Sequence, residues 1–402
     1  MGRSAREEDH VARGGWRLVA LGERTAAEWA AEVQAFVDGP AEVWAAEIER
    51  TGQVPRAYWR ELADRGYLRL TAPRAYGGAG LALSTYLPLL ELFSRTHGSL
   101  RMIVHVSNGI WRPLARRATP EQVERFVKPL VAGEQIVAFT LTEPHAGSGG
   151  DIQLTARREG DTYYLTGEKH LITFGTIADH LLTFARLPGT HGYAGTVALV
   201  VPRGAPGLEA VAQAESMGLR GTDHGHLVFR DTPVPVANRL GEEGEGIDVA
   251  LRGFLDPSRI GIGASCVGLA QKALELAIAR SKVRVTFGKP IAERQAIQML
   301  LAEMATDVQA ARQLVRWAVG VWEHGPADGA PSAEAAAMCK LFGLEMLQRV
   351  TDKALQVFGG WGYFKDAPIE RIYRDARAQR FEEGTAEIQK ATIARALLGE
   401  RG

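Results

Sequence analysis

The sequence predicts an α+β protein in which a helical domain, a strand-rich domain and a second helical domain follow one another along the chain. Three observations lead to this prediction: helical spacing of apolar residues up to about residue 130, short alternating runs between about 136 and 236, and helical spacing again after residue 246. The 402 residues suffice for two or three domains, and 46% hydrophobic with 23% charged residues is ordinary for a globular protein.

The N-terminal part predicts a polar tail over residues 1–24 and a helical domain over 25–135. The tail, MGRSAREEDHVARGG and the residues after it, has no apolar core of the kind that a signal peptide needs. Apolar residues then recur at helical spacing in EWAAEVQAFVDGPAEVWAAEIERTG and YLPLLELFSRTHG. The glycine-rich YGGAG at residues 76–80 interrupts this pattern.

The central part, residues 136–240, predicts strands. The candidates are DIQLTAR, TYYLTGEKHLITF, HLLTFARL, TVALVVP and HLVFRDTPV, which glycine, proline and aspartate turns separate. Because no helical spacing intervenes, we expect a small antiparallel barrel or sandwich.

The last part, residues 241–402, predicts a bundle of long helices. Residues 260–282 and 334–356 have helical spacing. The clearest buried stripe, in steps of four and three, is Met304, Val308, Ala311, Val315, Ala318 and Trp322.

Charge and cysteine content narrow the possible partners. The 47 basic residues balance the 47 acidic ones, so no global electrostatic attraction favours nucleic acid or an anionic membrane. We expect no apolar run that approaches the length of a membrane span. Cys266 and Cys339, far apart and without a CxxC spacing, argue against a disulfide scaffold and a zinc site. We expect a cytoplasmic protein with a small or specific ligand, and no metal.

The C-terminal EEGT unit, residues 382–385, is a candidate active-site segment. Helical sequence on both sides predicts a break in which Glu383 projects into a cavity, a geometry suited to a general base. The alternative is a solvated acidic turn in which Thr385 caps the next helix, with Glu387 in its first turn.

Four further segments are candidate ligand contacts, each with a plainer alternative. The loop LTEPHAGSGGD, residues 141–151, can offer backbone N–H groups or serve as a connector, and EKHLITFG, residues 168–175, can line a planar cofactor or form an ordinary strand. RVTFGKPI, residues 284–291, can bind pyrophosphate or end a basic helix. The glycines of QVFGGWGY, residues 356–363, interrupt a helix, and a nucleotide lying against that backbone would compensate their cost.

The order of these motifs is more specific than any one of them. LTEP-x-AGS, GEKHLIT, RVTFGKPI, GGWGY, YRDAR and EEGT in succession resemble the acyl-CoA dehydrogenase flavoprotein family, from about Thr25 to Leu398. The resemblance implies a homotetramer whose subunits have an N-terminal helical domain, a central β-barrel and a C-terminal four-helix bundle. It also implies FAD between barrel and bundle, touched by a neighbouring subunit.

The resemblance assigns roles by motif position. It implies that the flavin ring is contacted by Leu141, Thr142, Ile172 and Thr173, and the FAD of a neighbouring subunit by Arg284, Phe287, Gln356, Gly359 and Gly360. It further implies that Thr385 and Glu387 hold FAD near the active site and that Ser148 approaches the pantetheine of the substrate.

Glu383 matches the family's catalytic base. The α-proton of an acyl thioester is weakly acidic, so its removal while a hydride leaves the β-carbon for flavin N5 needs a well-placed base. Water exclusion by the acyl chain is expected to raise the pKa of that base, and its own N–H to polarise the thioester carbonyl. Some family members carry the catalytic base at the position that Ser258 occupies here. A serine cannot serve as that base, so Glu383 is preferred, and Asp256 is the alternative carboxylate.

Departures from the family pattern concern the substrate. Glu382 replaces a frequent aromatic residue, so we expect a more polar acyl pocket lined by Glu382 and Gly384, and a carboxylate pair that raises one pKa. Extra glycines follow Ser148, and Leu171 and Phe174 replace a frequently aromatic residue and a frequent asparagine.

The leading functional prediction is an FAD-dependent acyl-CoA dehydrogenase that passes electrons to an electron-transferring flavoprotein. The substrate carrier is coenzyme A or, alternatively, a carrier protein of a biosynthetic pathway. The rival predictions are a flavin oxidase that uses oxygen and, from a different class, a non-catalytic scaffold that retains the fold.

Overall fold

The computed structural model describes residues 21–146, 150–325 and 330–399, and the predicted helical, strand, helical order is confirmed there. The N-terminal helices are α1 (Ala26–Asp38), α2 (Pro40–Thr51), α3 (Arg56–Asp64), α4 (Leu83–Phe93), α5 (Gly98–Arg116), α6 (Pro120–Gln122) and α7 (Lys128–Ala132).

Local sequence explains how this helical part begins and closes. Thr25 and Glu28 form a reciprocal capping box at the start of α1, which satisfies two backbone N–H groups. The core behind it is aromatic: the ring of Tyr67 lies 5.3 Å from that of Phe36 and 5.1 Å from that of Phe93, both edge-on. Such contacts fix the relative positions of α1 and α4.

The central strands form one hydrogen-bonded sheet. The strands are β1 (Val137–Thr140), β2 (Thr155–Glu159), β3 (Thr162–Thr173), β4 (His180–Arg186), β5 (Thr196–Pro202), β6 (Leu208–Ala212), β7 (His224–Pro235) and β8 (Arg239–Leu240). Their order is β6-β7-β3-β2-β4-β5-β8, with β1 beside β4. Most pairings are antiparallel, as expected, whereas β4 pairs in parallel with β1 and β2. Parallel neighbours need a crossover connection, and β3 lies within both of these crossovers.

The C-terminal part contains the long helices. The elements are α8 (Gly246–Ala250), α9 (Asp256–Val283), β9 (Val285–Thr286), β10 (Lys289–Pro290), α10 (Gln295–His324), α11 (Ala330–Phe358), α12 (Pro368–Ala378) and α13 (Ala386–Leu397). The predicted stripe from Met304 to Ala318 is buried on α10, and Trp322 is half-buried against the same core.

Two π-helical turns, Val123–Val127 and Leu251–Leu255, interrupt otherwise continuous helices. Each lies two residues before a proline, Pro129 and Pro257. Proline lacks an N–H and its ring clashes with the carbonyl four residues earlier. In the second turn the Asp256 N–H bonds to Leu251, five residues back, so the helix widens where the proline requires room.

The helix Gly246–Val283 corrects the expectation that no apolar run reaches the length of a membrane span. By length and composition it is the one helix in the described part of the chain that could cross a membrane, yet 67% of its most apolar stretch is buried within the protein. It packs against α4, α10, α11 and α12, as the core helix of a bundle does.

Helix α9 approaches α4 closely at Gly268. A Cβ added there would lie 2.7 Å from the carbonyl carbon of Glu91 and closer still to its oxygen. We therefore expect Gly268→Ala to lower the free energy of unfolding by about 1–3 kcal/mol, because backbone must move to admit a methyl group.

Gly320 on α10 is the matched control, since a Cβ there meets nothing within 4 Å. Gly320→Ala should raise the free energy of unfolding by about 0.5–1 kcal/mol, the ordinary gain from removing a helical glycine. Urea denaturation measures both variants. A stabilising effect of Gly268→Ala would contradict the close approach of α4 and α9.

Candidate active site

The segment between α12 and α13 forms a strained turn that directs Glu383 inward. Glu383 has φ 47° and Gly384 has φ 92°, so both lie in the left-handed region. A non-glycine residue held there costs about 1–3 kcal/mol, which surrounding contacts must offset. The Glu383 side chain is only 9% exposed, so the break between helices places a carboxylate inside the protein, as the sequence predicted.

The two oxygens of the Glu383 carboxylate have different surroundings. The Ser258 hydroxyl donates a hydrogen bond of 2.9 Å to Oε1. His105 Nε2 lies 2.7 Å from that hydroxyl and 3.8 Å from the same Oε1. Oε2 is buried and has no hydrogen-bond partner among the described residues. One oxygen is thus anchored, and the other is available to accept a proton.

Hydrogen bonds to the carbonyl oxygens of the turn offset its backbone strain. Gln389 Nε2 donates to the carbonyl oxygens of Glu383, at 3.2 Å, and Gly384, at 3.1 Å. Arg259 Nε donates to the Glu383 carbonyl at 3.3 Å, and the Lys340 ammonium group donates to that of Gly384. Three helices, α9, α11 and α13, therefore hold this short segment.

Glu382 is paired with a buried arginine on α5. Arg101 donates two parallel hydrogen bonds to the Glu382 carboxylate, of 2.7 and 2.8 Å, in the bidentate geometry that guanidinium groups favour. The exposed fractions of the two side chains are 1% and 12%. The negative charge of Glu382 is therefore compensated by Arg101 of the same chain.

The expected rise in pKa from two adjacent carboxylates is wrong for Glu383. Burial pushes the pKa of Glu383 upward, but nearby His105, the Lys340 ammonium and the Ser258 hydroxyl outweigh it and hold the pKa below its ordinary value. Because Arg101 neutralises Glu382, that neighbour does not produce the expected effect.

Asp256 and Ser258, the two other positions considered for the base, have different surroundings. Asp256 is buried and forms a 2.9 Å salt bridge with Arg259, so its carboxylate already has a partner. Ser258 lies in direct hydrogen-bond contact with Glu383. The position of the family's alternative base and that of Glu383 therefore meet at one place in this fold.

The segment after β1 lies beside the part of β3 that leads into Ile172 and Thr173. Lys169 Nζ donates to the Leu141 carbonyl at 2.9 Å and to Glu143 at 2.8 Å, and the His170 N–H donates to the Thr142 carbonyl at 2.8 Å. Burial lowers the pKa of Lys169 to about 8, against the charge of Glu143. This buried pair fixes the Leu141–Thr142 segment beside the end of β3.

The end of β3 departs from regular strand geometry. A register shift lies between Lys169 and Ile172, and Leu171, with φ 55°, is 55% exposed, whereas Ile172 is buried. Thr173 is half-buried, and Phe174 packs edge-on against Trp59 at 4.9 Å. A bulge of this kind re-aims side chains and opens a strand edge to a ligand.

The residues predicted to meet a second FAD molecule lie on exposed surface. Phe287 is 98% exposed with φ 47°, and Arg284 and Gln356 are exposed as well. Gly359 and Gly360 present bare backbone, since a Cβ at either would meet nothing within 4 Å. Exposed backbone and an exposed aromatic ring are both suited to contact with a nucleotide from outside the chain.

The ends of α9 and α11 lie together, which links these residues. The Arg280 guanidinium stacks on the ring of Trp361 at 4.6 Å, and it also lies over Phe358 at 5.9 Å. The structure thus joins the Arg284 and Gly359 segments at one end of the bundle.

The remaining predicted site residues lie at and beyond the turn. Thr385 precedes α13 in an extended conformation, but its side chain makes no capping hydrogen bond to the helix, so the capping alternative is wrong in that detail. Glu387 is exposed, and hydrogen bonds from its own backbone and from Thr385 lower its pKa. Ser148 lies outside the described residues.

A cavity of about 620 Å³ lies between the N-terminal helices and the sheet. Ser99 and Ile103 of α5 line one side, and Phe174, Thr222 and His224 line the other. Helix α5 therefore contributes to this cavity and, through Arg101 and His105, to the surroundings of the base.

Arg101, His105 and Lys340 are the site residues that sequence reasoning missed. Arg101 and His105 are four residues apart, on one face of α5. The signal was a pair of polar residues inside the apolar run LRMIVHV. Lys340 similarly interrupts the buried face of α11.

Comparison with protein families matches nearly the whole chain. The N-terminal domain of acyl-CoA dehydrogenases matches residues 24–134, the middle domain 138–232 and the C-terminal domain 244–398.

Individual relatives agree. An acyl-CoA dehydrogenase of Bacillus subtilis is 38% identical over 354 residues, covering 87% of this chain and 92% of that protein. The caffeyl-CoA reductase-Etf complex subunit CarC of Acetobacterium woodii is 34% identical over 352 residues, with coverage of 87% and 92%. Butyryl-CoA dehydrogenase from Megasphaera elsdenii superimposes with a TM-score of 0.88 at 32% identity, covering 94% of this chain and 99% of that one. The chain therefore belongs to the acyl-CoA dehydrogenase family.

Proposed function

We propose that this protein is an FAD-dependent acyl-CoA dehydrogenase in which Glu383 removes the α-proton of the acyl thioester. The observation that carries the proposal is the buried carboxylate on a strained turn, with Oε1 anchored by Ser258 and Oε2 without a partner among the described residues. FAD, when bound, takes up the hydride that leaves the β-carbon. The proton goes to Glu383, and the two C–H bonding pairs supply the new C=C bond and the hydride.

The ionisation state of Glu383 suits a general base. His105, Ser258 and Lys340 hold its pKa low despite burial, so the carboxylate is ready to accept a proton at neutral pH. A group poised to donate a proton would need a raised pKa. The resting protein therefore holds Glu383 in the protonation state from which dehydrogenation begins.

We further propose that the cofactor contacts follow the family resemblance. Leu141 and Thr142 with Ile172 and Thr173 would lie along the flavin ring. The hydrogen bonds that join Leu141 and Thr142 to Lys169 and His170, just before Ile172 on β3, support this. Thr385 and Glu387 would hold FAD near the base. The exposed set at the end of the bundle would meet the FAD of a neighbouring subunit in a homotetramer: Arg284, Phe287, Gln356, Gly359 and Gly360.

Glu382 bears on the choice of acyl group. Its carboxylate is fixed by Arg101, so a charged pair stands where many family members have an aromatic ring. We propose that Glu382 and Gly384 line the acyl end of the site and that small or polar acyl groups are preferred, with Ser148 near the pantetheine.

Coenzyme A is the proposed carrier, because the relatives described above are named for coenzyme A thioesters. An electron-transferring flavoprotein is the proposed acceptor, which the membership of the Acetobacterium relative in an Etf complex supports. We place the enzyme in the cytoplasm.

Anaerobic flavin bleaching tests the proposed function. The purified protein should be yellow, and a panel of acyl-CoA thioesters that differ in chain length and polarity should bleach it, the short and polar ones fastest. Matched carrier-protein thioesters serve as the comparison, and faster bleaching by them would replace coenzyme A in the proposal. Rapid reoxidation in air would indicate an oxidase, and protein that refuses FAD would overturn the enzyme assignment.

A further inference from the structure

A buried chain of three polar side chains ends at the proposed base. His105 comes from α5, Ser258 from the start of α9 and Glu383 from the turn after α12. The distance from His105 Nε2 to Ser258 Oγ is 2.7 Å, and that from Ser258 Oγ to Glu383 Oε1 is 2.9 Å. Both are ordinary hydrogen-bond lengths.

The direction of these hydrogen bonds follows from the chemistry of the groups. An ionised carboxylate can only accept, so the single proton of the Ser258 hydroxyl is directed at Glu383. The oxygen of Ser258 must then accept from His105, and the network assigns the proton of the imidazole to Nε2. His105 is therefore a donor that acts on Glu383 through a hydroxyl group.

The fold fixes the imidazole ring in place. His105 is buried, and a Cβ at Gly261 would lie 2.6 Å from its Cε1 and 3.1 Å from its Nδ1. Helix α9 thus lacks a side chain at the place where the ring packs. Nδ1 is buried and makes no hydrogen bond to any described residue. Nε2 lies 2.7 Å from the Ser258 hydroxyl and 3.8 Å from Glu383 Oε1, so in the described part of the chain only Ser258 is within hydrogen-bond distance of the ring.

We propose that His105 is a positioning residue for Glu383: through the Ser258 hydroxyl it aims the carboxylate and keeps it ionised until the substrate proton is transferred. This inference rests on the proposed role of Glu383 as the base. It assigns a function to two residues, His105 and Ser258, that lie outside the EEGT segment and belong to different helices.

The other charges around the site do not replace this contact. Arg101 is paired with Glu382, and Arg259 with Asp256, so each pair is internally compensated. His224, on β7, faces Glu382, and burial lowers its pKa.

Two further titratable groups face Glu383 and Glu382. Burial raises the pKa of the Cys266 thiol to about 12, so this group is neutral. Lys340 remains as a cation, but its hydrogen bond goes to the Gly384 carbonyl rather than to the carboxylate. Without His105, only Lys340 and Ser258 would oppose the effect of burial, so we expect the pKa of Glu383 to rise.

The test is the pH dependence of flavin reduction, measured by anaerobic stopped flow at saturating acyl-CoA. A base with a depressed pKa stays active to lower pH than one with a raised pKa. In His105→Leu, which removes the donor, we expect the acid limb to move to higher pH by about one unit, a rate loss of about tenfold on that limb. His105→Gln keeps an N–H donor and should restore part of the shift.

Ser258→Ala and Ser265→Ala form the matched pair of serine variants on α9. Ser258→Ala removes the bridge and should shift the limb in the same direction, which keeps the inference testable if His105→Leu does not fold. Ser265 is buried on the same helix but bonds to Ser94 at 3.0 Å, so Ser265→Ala should leave the limb unmoved. An acid limb that coincides with that of wild type in both His105→Leu and Ser258→Ala would overturn the proposal.

Infrared spectroscopy of the resting protein gives a second readout that does not depend on activity. A protonated carboxylic acid has a carbonyl stretching band of its own. The band that wild type shows and Glu383→Gln lacks belongs to Glu383, and its intensity against pH gives the titration of that residue. In His105→Leu this band should appear at higher pH than in wild type, and an unchanged titration would contradict the inference. If no acyl thioester bleaches the wild-type flavin, the proposed function fails, whereas the infrared titration still decides whether His105 keeps Glu383 ionised.

Discussion

Replacing Glu383 with glutamine should slow anaerobic flavin reduction by acyl-CoA by about 10²–10⁴-fold, the usual contribution of a positioned general base. Glutamine has nearly the same shape but cannot accept the α-proton. Because the segment is held through the carbonyl groups of Glu383 and Gly384, which the substitution leaves in place, the turn and the bound flavin should survive. Stopped-flow absorbance measures the rate, and the visible spectrum measures flavin content.

The matched control is Glu121→Gln, an exposed carboxylate on α6. It should reduce its flavin at the wild-type rate. If Glu383→Gln retained flavin and reacted as fast as this control, Glu383 would not be the base. A variant that lost its flavin would instead show that the turn contributes to cofactor binding, and the reduction rate would then be measured after FAD is added back.

Replacing Arg101 with methionine should lower the free energy of unfolding by about 3–5 kcal/mol, the cost typical of removing one partner from a buried ion pair. Glu382 would keep its charge in a mostly buried place without the bidentate guanidinium. That uncompensated charge beside Glu383 should also raise the pKa of the base and move the acid limb of flavin reduction to higher pH. Denaturant unfolding and the pH profile measure the two effects.

The double variant Arg101→Met/Glu382→Leu separates charge from packing. It removes both members of the pair, so it should recover much of the stability that Arg101→Met loses, since an apolar pair of similar volume avoids the desolvation cost. A thermodynamic cycle with Glu382→Leu gives the coupling free energy. A coupling free energy near zero would show that the Arg101–Glu382 ion pair does not stabilise this region.

The sequence predicted those elements whose structure is determined by residues close together along the chain. The stripe from Met304 to Ala318 and the strand runs have their own periodicity, and the turn at Glu383 lies between recognisable helices. The helix start at Thr25 follows from a short-range capping motif. For these elements the residues that determine the structure are neighbours along the chain.

The environment of the base is long-range and was not predicted. Arg101 and Glu382 are separated by 281 residues and Ser258 and Glu383 by 125, so no local pattern pairs them. The adjacency of Glu382 and Glu383 suggested mutual repulsion, but the structure provides each carboxylate with its own partner. The predicted rise in pKa was therefore wrong, because it considered the two carboxylates without the helices that pack against them.

The π-helical turn at Leu251–Leu255 sets the rotational phase of the helix that carries Ser258. A π turn holds about one residue more than an α turn, so the residues after it are rotated by about 100° relative to an uninterrupted helix. Ser258 and Arg259, which follow within four residues, face Glu383 in this rotated frame. The orientation of the base thus depends on a helical irregularity that precedes Pro257 as well as on the turn that carries Glu383.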